Sequence, residues 1–292
     1  MTAPVSCIIT SYNKQRELRA AVMSVLRQTL PVAEIIIADD GSSDGSREMI
    51  AALAQEHACI TPLLRERNLG VSANRDLAIR AASQPFVTHL DGDDLFAHGK
   101  IEGEWRALEG RTDAVAYSLV ARVWPGKWWR SRVLDPAETV GNPQDAFARL
   151  LARAGAIPRD MMLSRALFES AGGFDHSVPL YEDWDFKLRL AGKAREWRAS
   201  GVVGTLYVQH ASGLSSADRA RHAEWMASVR QRFLPQSRRI DPVQPVSGSV
   251  LNKASRKLHQ QIRSTVQRLG AIRHHKELFS NETVLIERGR RT

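Results

Sequence analysis

Through the first hundred residues, short apolar runs alternate with stretches of helical periodicity. Residues 5–10, 34–38, 60–65 and 86–90 are brief runs rich in Ile, Val and Leu, bounded by polar residues, and are predicted strands. Between them, residues 14–28, 44–56 and 72–82 repeat apolar positions at three- and four-residue steps and are predicted helices. Alternating strands and helices predict an α/β fold, with a mostly parallel central sheet and helices on both faces. Three strands run into polar clusters: Thr10-Ser11-Tyr12-Asn13, Asp39-Asp40-Gly41-Ser42 and Asp91-Gly92-Asp93-Asp94. Ligands of such sheets bind outside the carboxyl ends of the strands, so the three clusters are expected to line one crevice.

Beyond Leu108 the rhythm breaks. Residues 114–123 predict a strand, followed by a turn carrying Trp124, Trp128 and Trp129. A helix over 143–154 leads to Gly172-Gly173-Phe174-Asp175, then to Tyr181-Glu182-Asp183-Trp184-Asp185 and a helix to about 190. A strand over 202–209 ends at His210, and a helix over 217–233 is expected to stop at Pro235. After the Pro/Ser/Gly-rich stretch 242–249, Leu251, Ala254, Leu258, Ile262, Val266 and Leu269 recur at helical spacing. Lys253, Arg256, Lys257, Arg263 and Arg268 occupy the other faces of that helix. The expected organisation is one large domain over 1–235, with halves at about 1–110 and 111–235, and a basic helical extension over 236–292.

Composition narrows the class. With 292 residues, 43% hydrophobic and 25% charged, the chain can bury a full core. No run approaches the roughly 18 apolar residues of a membrane span. The N-terminus reads as a first strand rather than a signal peptide. Cys7 and Cys59 sit in apolar runs and are expected to be small core residues, not a disulfide framework, which points to a cytoplasmic setting. The net charge of +9 is unevenly spread: from Gln236 onward 12 Lys and Arg face 4 Asp and Glu (+8), which leaves +1 for the rest. An anionic partner would therefore act on the extension. Peripheral contact with the inner face of a membrane is one reading, at roughly 1 kcal/mol per cation. Docking on the body or an oligomer contact is the other, and nucleic acid ranks below both.

Two carboxylates one residue apart after an apolar strand, Asp91 and Asp93, can hold a divalent cation through oxygen and leave positions for phosphate. A solvated acidic turn is the plainer alternative. The segment from Asp40 to Gly45 imitates the start of a calcium loop, but position 12 falls on Ala51 where a bidentate Glu is required, and that reading fails. A capped turn remains, with Ser43 or Asp44 as N-cap.

Taken together, Thr10-Ser11-Tyr12-Asn13, Asp39-Asp40-Gly41-Ser42, Asn68-Leu69-Gly70-Val71-Ser72, Arg75, Leu90-Asp91-Gly92-Asp93-Asp94, Gly172-Gly173-Phe174-Asp175 and Glu182-Asp183 stand in the order and spacing of a known family. From about Val5 to Ser215 the chain resembles the family 2 glycosyltransferases, which have the nucleotide-diphospho-sugar transferase-like GT-A fold. The resemblance implies that Thr10, Tyr12 and Asp40 bind the nucleotide base, with Asp39 orienting the loop and Arg75 facing the nucleotide. It implies that Asp91 and Asp93 form the D-x-D motif, with Asp93 the stronger metal contact and His210 completing the metal or diphosphate site. Asp183 would be the general base and Glu182 its orienting partner. Gly172 and Gly173 would lie on the acceptor side. Tyr181 and Trp184 flank the pair and stand open between acceptor contact and core packing, as the tryptophan cluster stands open between sugar stacking and packing.

The implied reaction is inverting transfer of a sugar from a nucleotide-diphosphate sugar, UDP favoured, to a hydroxyl of a glycan, lipid-linked or other acceptor. Bacterial surface polysaccharide or glycoconjugate synthesis is the expected setting. Chemistry agrees: the acceptor needs a carboxylate base and the departing diphosphate needs its charge neutralised. One unit-charge pair at 4 Å is worth about 4 kcal/mol at an effective dielectric near 20, so a dication on a diphosphate far exceeds a lone Lys or His. Mg2+ or Mn2+ is therefore the expected cofactor. Departures from the family are Asp76, where Asn is frequent, and Ala97-His98-Gly99-Lys100, where Pro-Asp is common. The rival readings are a catalytically silent GT-A-like scaffold and, ranked lower, a sugar-phosphate nucleotidyltransferase, which would show a Gly-rich basic loop where Thr10-Ser11-Tyr12-Asn13-Lys14 stands.

Overall fold

The apolar runs place side chains alternately on two faces, and both faces become core. The structure is a computed structural model that describes residues 1–124, 131–209 and 218–237, with backbone alone at 219 and 234–237. In chain order the first half contains β1 (Ala3–Ser11), α1 (Gln15–Leu26), β2 (Val32–Asp39), α2 (Ser46–Glu56), β3 (Ile60–Leu64), α3 (Val71–Arg80), β4 (Phe86–Asp91), β5 (Leu95–Phe96) and α4 (Lys100–Leu108). The second contains β6 (Ala114–Val123), β7 (Arg132–Leu134), α5 (Ala137–Val140), α6 (Pro143–Ala152), β8 (Met162–Ser164), α7 (Arg165–Ser170), α8 (Glu182–Ala191), β9 (Glu196–Val208) and α9 (Arg219–Ser237). On one face Cys7, Ile9, Ile35 and Ile37 meet Leu18 and Val22 of α1, Ile50 of α2 and Ile101 of α4. On the other, Ile8, Ile36 and Val87 meet Ile79 of α3, Phe168 of α7, Phe186 of α8 and Phe233 of α9.

The sheet among the described residues runs β3-β2-β1-β4-β8-β6-β9-β5, with β7 added to β6. Its first four strands are parallel, as the βα rhythm predicted. The second half is mixed: β8 is antiparallel to both β4 and β6, while β6 and β9 are parallel. Pairing of β8 with β4 covers only Phe86 and Val87, so the carboxyl-terminal half of β4 has no strand beside it on that flank. The crevice opens there.

Several local expectations need correcting. The N-cap of α2 is Gly45, in the left-handed region, rather than Ser43 or Asp44. Asp44 instead accepts from the backbone N–H groups of Ser46 and Gln15, and so ties α2 to the start of α1. Helix α4 begins at Lys100 after Gly99 without a side-chain cap. Helix α9 continues past Pro235 to Ser237; a proline gives up its own N–H bond to the carbonyl four residues earlier, a single loss that a helix can bear near its end. Cys7 is fully buried and Cys59 only partly; both are free thiols. No helix among the described residues is long and apolar enough to cross a membrane. Trp128, Trp129, His210 and the basic extension from 238 lie outside the described residues.

Candidate active site

Three strand ends are stitched together by backbone bonds. Gly92 N–H donates to the Thr10 carbonyl at 2.8 Å, and Asp40 N–H to the Ser11 carbonyl at 2.9 Å. A Cβ on Gly92 would stand 2.8 Å from that Thr10 oxygen, which is why the residue between the two aspartates has no side chain. Thr10 is buried, and Tyr12 projects outward, 46% exposed.

The two neighbouring aspartates divide their work. Both Asp40 oxygens are taken by the loop before α3, Oδ1 by Leu69 N–H at 2.8 Å and Oδ2 by Gly70 N–H at 2.9 Å. Burial raises its pKa above the usual carboxylate value, with those two bonds opposing. Asp39 Oδ1 accepts from Ser42 N–H, whereas its Oδ2 is buried with no hydrogen-bond partner. Asp40 thus spends both oxygens on the loop before α3, whereas Asp39 keeps one buried oxygen without a partner.

A buried arginine joins the first half of the chain to the second. Arg75 donates through one terminal nitrogen to Asp91 Oδ1 and through the other to Glu182 Oε1 at 2.8 Å. The D-x-D end of β4 and the E-D start of α8 are therefore parts of one ion-pair network. A second arginine, Arg159, grips the other oxygen of Asp91 at 3.1 Å and Asp94 Oδ2 at 2.8 Å, and its guanidinium lies 3.9 Å from the Tyr207 ring centroid. Asp94 Oδ1 accepts from Val208 N–H, which anchors the D-x-D turn to the end of β9. Burial would raise Asp91, but Arg75 and Arg159 outweigh it and hold that carboxyl well below its usual range. Asp94 goes the other way, pushed up by burial against Arg159. Asp93 pairs with Lys14 Nζ at 2.5 Å and is about a quarter exposed.

At the head of α8 the two carboxylates are set apart. Glu182 is nearly buried on Arg75, and burial raises it. Asp183 is 39% exposed, and its Oδ2 accepts from Lys187 Nζ at 2.6 Å. Burial pushes Asp183 up, but Lys187 first, then Arg159 and Arg75, hold it below the usual carboxylate range. Opposite shifts on adjacent carboxyls are the pattern that separates an ionised base from its partner. Tyr181 precedes the pair in the left-handed region and its hydroxyl hydrogen-bonds with His222 Nδ1 of α9 at 2.9 Å. Trp184 is corrected to core: it is 1% exposed and its indole N–H donates to the Leu150 carbonyl, because one helical position beyond Asp183 turns it inward. Gly172 and Gly173 both take positive φ, and Gly173 packs on Asp76 of α3, whose Oδ1 accepts from Phe174 N–H. Asp76 binds this loop, Arg80 and His176 instead of contacting the cleft beside Arg75.

Sequence reasoning missed Arg159, Asp94, Lys187 and Lys14. Asp94 adjoined a recognised motif, whereas Arg159 stood in a stretch without pattern, and Lys187 was signalled only by its i+4 spacing from Asp183. Among the described residues no three His, Cys, Asp or Glu side chains group as a self-sufficient metal cage. With Asp91 held by two guanidiniums, the donor set among the described residues reduces to Asp93, paired with Lys14 on a solvent-facing turn. That set fits a cation of the Mg2+ type, which takes one or two carboxylates and completes its shell with phosphate and water.

Several glycosyltransferases are similar to this chain. The putative teichuronic acid biosynthesis glycosyltransferase TuaG of Bacillus subtilis is 34% identical over 121 residues, 40% of this chain and 48% of that protein. The UDP-Glc:alpha-D-GlcNAc-diphosphoundecaprenol beta-1,3-glucosyltransferase WfgD of Escherichia coli is 35% identical over 98 residues, 34% and 38% of the two chains. The cholesterol galactosyltransferase of Borreliella burgdorferi is 39% identical over 90 residues, 31% of this chain and 25% of that protein. The matched segments thus span a quarter to about half of these relatives. The crystal structure of S. aureus TarS 1-349 in complex with UDP-GlcNAc superposes with a TM-score of 0.61 at 16% identity, over 93% of this chain and 84% of that one. The fold is therefore GT-A. A model of the family described as Glycosyl transferase family 2 matches residues 6–172, more than half of the chain, and the chain belongs to that family.

Proposed function

We propose that the chain is an inverting glycosyltransferase that moves a sugar from a nucleotide-diphosphate sugar, with UDP favoured, onto a hydroxyl acceptor in surface-glycan or glycoconjugate synthesis. The observation that supports this reading is the Arg75 bridge between Asp91 and Glu182, which draws donor-side and acceptor-side motifs into one network. Asp39 Oδ2 accepts the imide N–H of the base, and Tyr12 offers its ring beside it. Asp183 takes the proton of the acceptor hydroxyl while that oxygen attacks the anomeric carbon. The bond from that carbon to the diphosphate oxygen breaks in the same displacement, so configuration inverts. Asp93, with His210 as the family's further candidate, would hold Mg2+ or Mn2+, which supplies charge neutralisation to the leaving diphosphate. Lys14, whose side chain is about a third exposed, would have to release Asp93 for such a cation to be held there.

A thermal-shift panel of nucleoside diphosphates and sugar nucleotides, with and without Mn2+, tests the donor. A ligand at about 100 times its Kd adds about 2.7 kcal/mol of stability, and the uridine series is expected to give the largest shift. Transfer and donor hydrolysis are expected to be lost in both Asp93→Ala and Asp183→Asn. Retained turnover in both variants would overturn these two assignments, and a native protein without turnover would favour the silent scaffold.

A further inference from the structure

Lys187 is a buried cation that the reaction as described does not use. It lies on α8 one turn after Asp183, its side chain is 3% exposed, and its Nζ contacts Asp183 Oδ2 at 2.6 Å. Solvent-exposed pairs at this spacing are weak. Here only the carboxylate end reaches solvent, and an ammonium withdrawn from water persists when an anion offsets it. The residues around it on α8, Trp184, Asp185, Phe186 and Leu188, are all buried, so the lysine chain passes through core to reach a half-exposed carboxylate. Behind it, on β4, stands buried His89, whose pKa is pushed well below its usual value by burial, then by Arg75, so the ring adds no charge that would repel Lys187.

We infer that Lys187 is a positioning residue for the reaction: it pins Oδ2 of Asp183, so that the other, solvent-facing oxygen serves the acceptor hydroxyl. This rests on Asp183 being the base. The groups facing Asp183 are Lys187 and Glu182 on α8, Arg75 on α3 and Arg159 before β8. Burial is the strongest influence on Asp183 and favours its neutral form; Lys187 is the largest influence against it. Removing the ammonium takes away the largest of these opposing influences and leaves burial opposed by Arg159 and Arg75. A folded-state pKa that is now depressed would rise, and activity would be lost from the acid side at a higher pH than in the native enzyme.

The test is the pH profile of kcat/KM for transfer or donor hydrolysis in Lys187→Met and Lys187→Arg, alongside Asp183→Asn. In Lys187→Met the acid limb is expected to move up by about one to three pH units. Its kcat should fall by about tenfold or more, since a misplaced base loses rate steeply, with donor KM little changed. Lys187→Arg should return the limb toward the native position. An unmoved limb in Lys187→Met, with Asp183→Asn inactive, overturns the role of Lys187 and leaves the base assignment standing. An active Asp183→Asn overturns both. Should Lys187→Met fail to fold, carbon-13 titration of the Asp183 carboxyl in the native protein decides. A midpoint below that of an ordinary aspartate supports the pinning, and one at or above it overturns the inference.

Discussion

Arg75 spends its two terminal nitrogens on carboxylates from opposite halves of the chain, Asp91 and Glu182, at 4% side-chain exposure. A lysine can serve one such partner but not hold both at a fixed angle. Arg75→Lys is therefore expected to fold and to lose about 10²-fold in kcat/KM, measured by initial-rate kinetics. Gly173 tests a different constraint: φ is +66° and a Cβ would come within 2.2 Å of Asp76 Oδ1. Gly173→Ala is expected to lower stability by about 1–3 kcal/mol in chemical denaturation. Cys7, fully buried, has its thiol pushed up to about 12 by burial, so native protein should yield fewer thiols to a disulfide reagent at pH 8 than denatured protein. At this scale, motif residues with fixed spacing were legible and their division of labour was not. Asp39 and Asp40 are identical neighbours in sequence. Only the backbone N–H groups of Leu69 and Gly70, some thirty residues on, decide which one is spent on structure. Trp184 was equally undecidable, since a side chain's direction depends on where its helix starts, and α8 starts one residue after a left-handed Tyr181.

Elements long enough to express a period were read correctly in kind, as β1, β2, β4, β6 and the helices α1 to α3 show. The short β5, β7, β8, α5 and α7 escaped, since they show too little of any repeat, whereas the equally short β3 and β4 were marked by their apolar runs. Strand β9 was half seen, because its first residues Glu196–Ser200 set one large apolar side chain, the buried Trp197, among charged and small ones. Helix α9 illustrates how tertiary contact completes a weak pattern. Val229 and Phe233 are buried, the Phe233 ring meets Phe147 edge-on at 6.0 Å between centroids, and Arg232 pairs with Asp175 and Asp185. Phe233→Ala is expected to cost about 3 kcal/mol. Hydrogen exchange should rise in α9 and α6 while the strands β1 to β4 stay protected.

Across the whole molecule, a buried pair bridges α4 and the sheet. Lys100 and Glu104 are both fully buried and lie 2.8 Å apart, with Glu104 pushed up to about 7 by burial. A carboxyl whose folded-state pKa is raised binds its proton more tightly folded than unfolded. Its contribution is fully present below its ordinary value of 4.5 and is lost as pH rises through about 7. Unfolding free energy followed from pH 4 to 8 should therefore carry a falling component, and Glu104→Gln should flatten it. The last feature is the short ladder between β4 and β8, which stops at Val87. Past that point Arg159 and Asp160 meet β4 through their side chains and through the Asp160 carbonyl, which accepts from the Thr88 hydroxyl at 2.9 Å, and not through a strand ladder. Main-chain pairing of the sheet stops short of this flank, which the loop of Arg159 and Asp160 covers. Substitutions in that loop are expected to disturb the contacts to Asp91 and Asp94 while the parallel strands beneath keep their pairing intact.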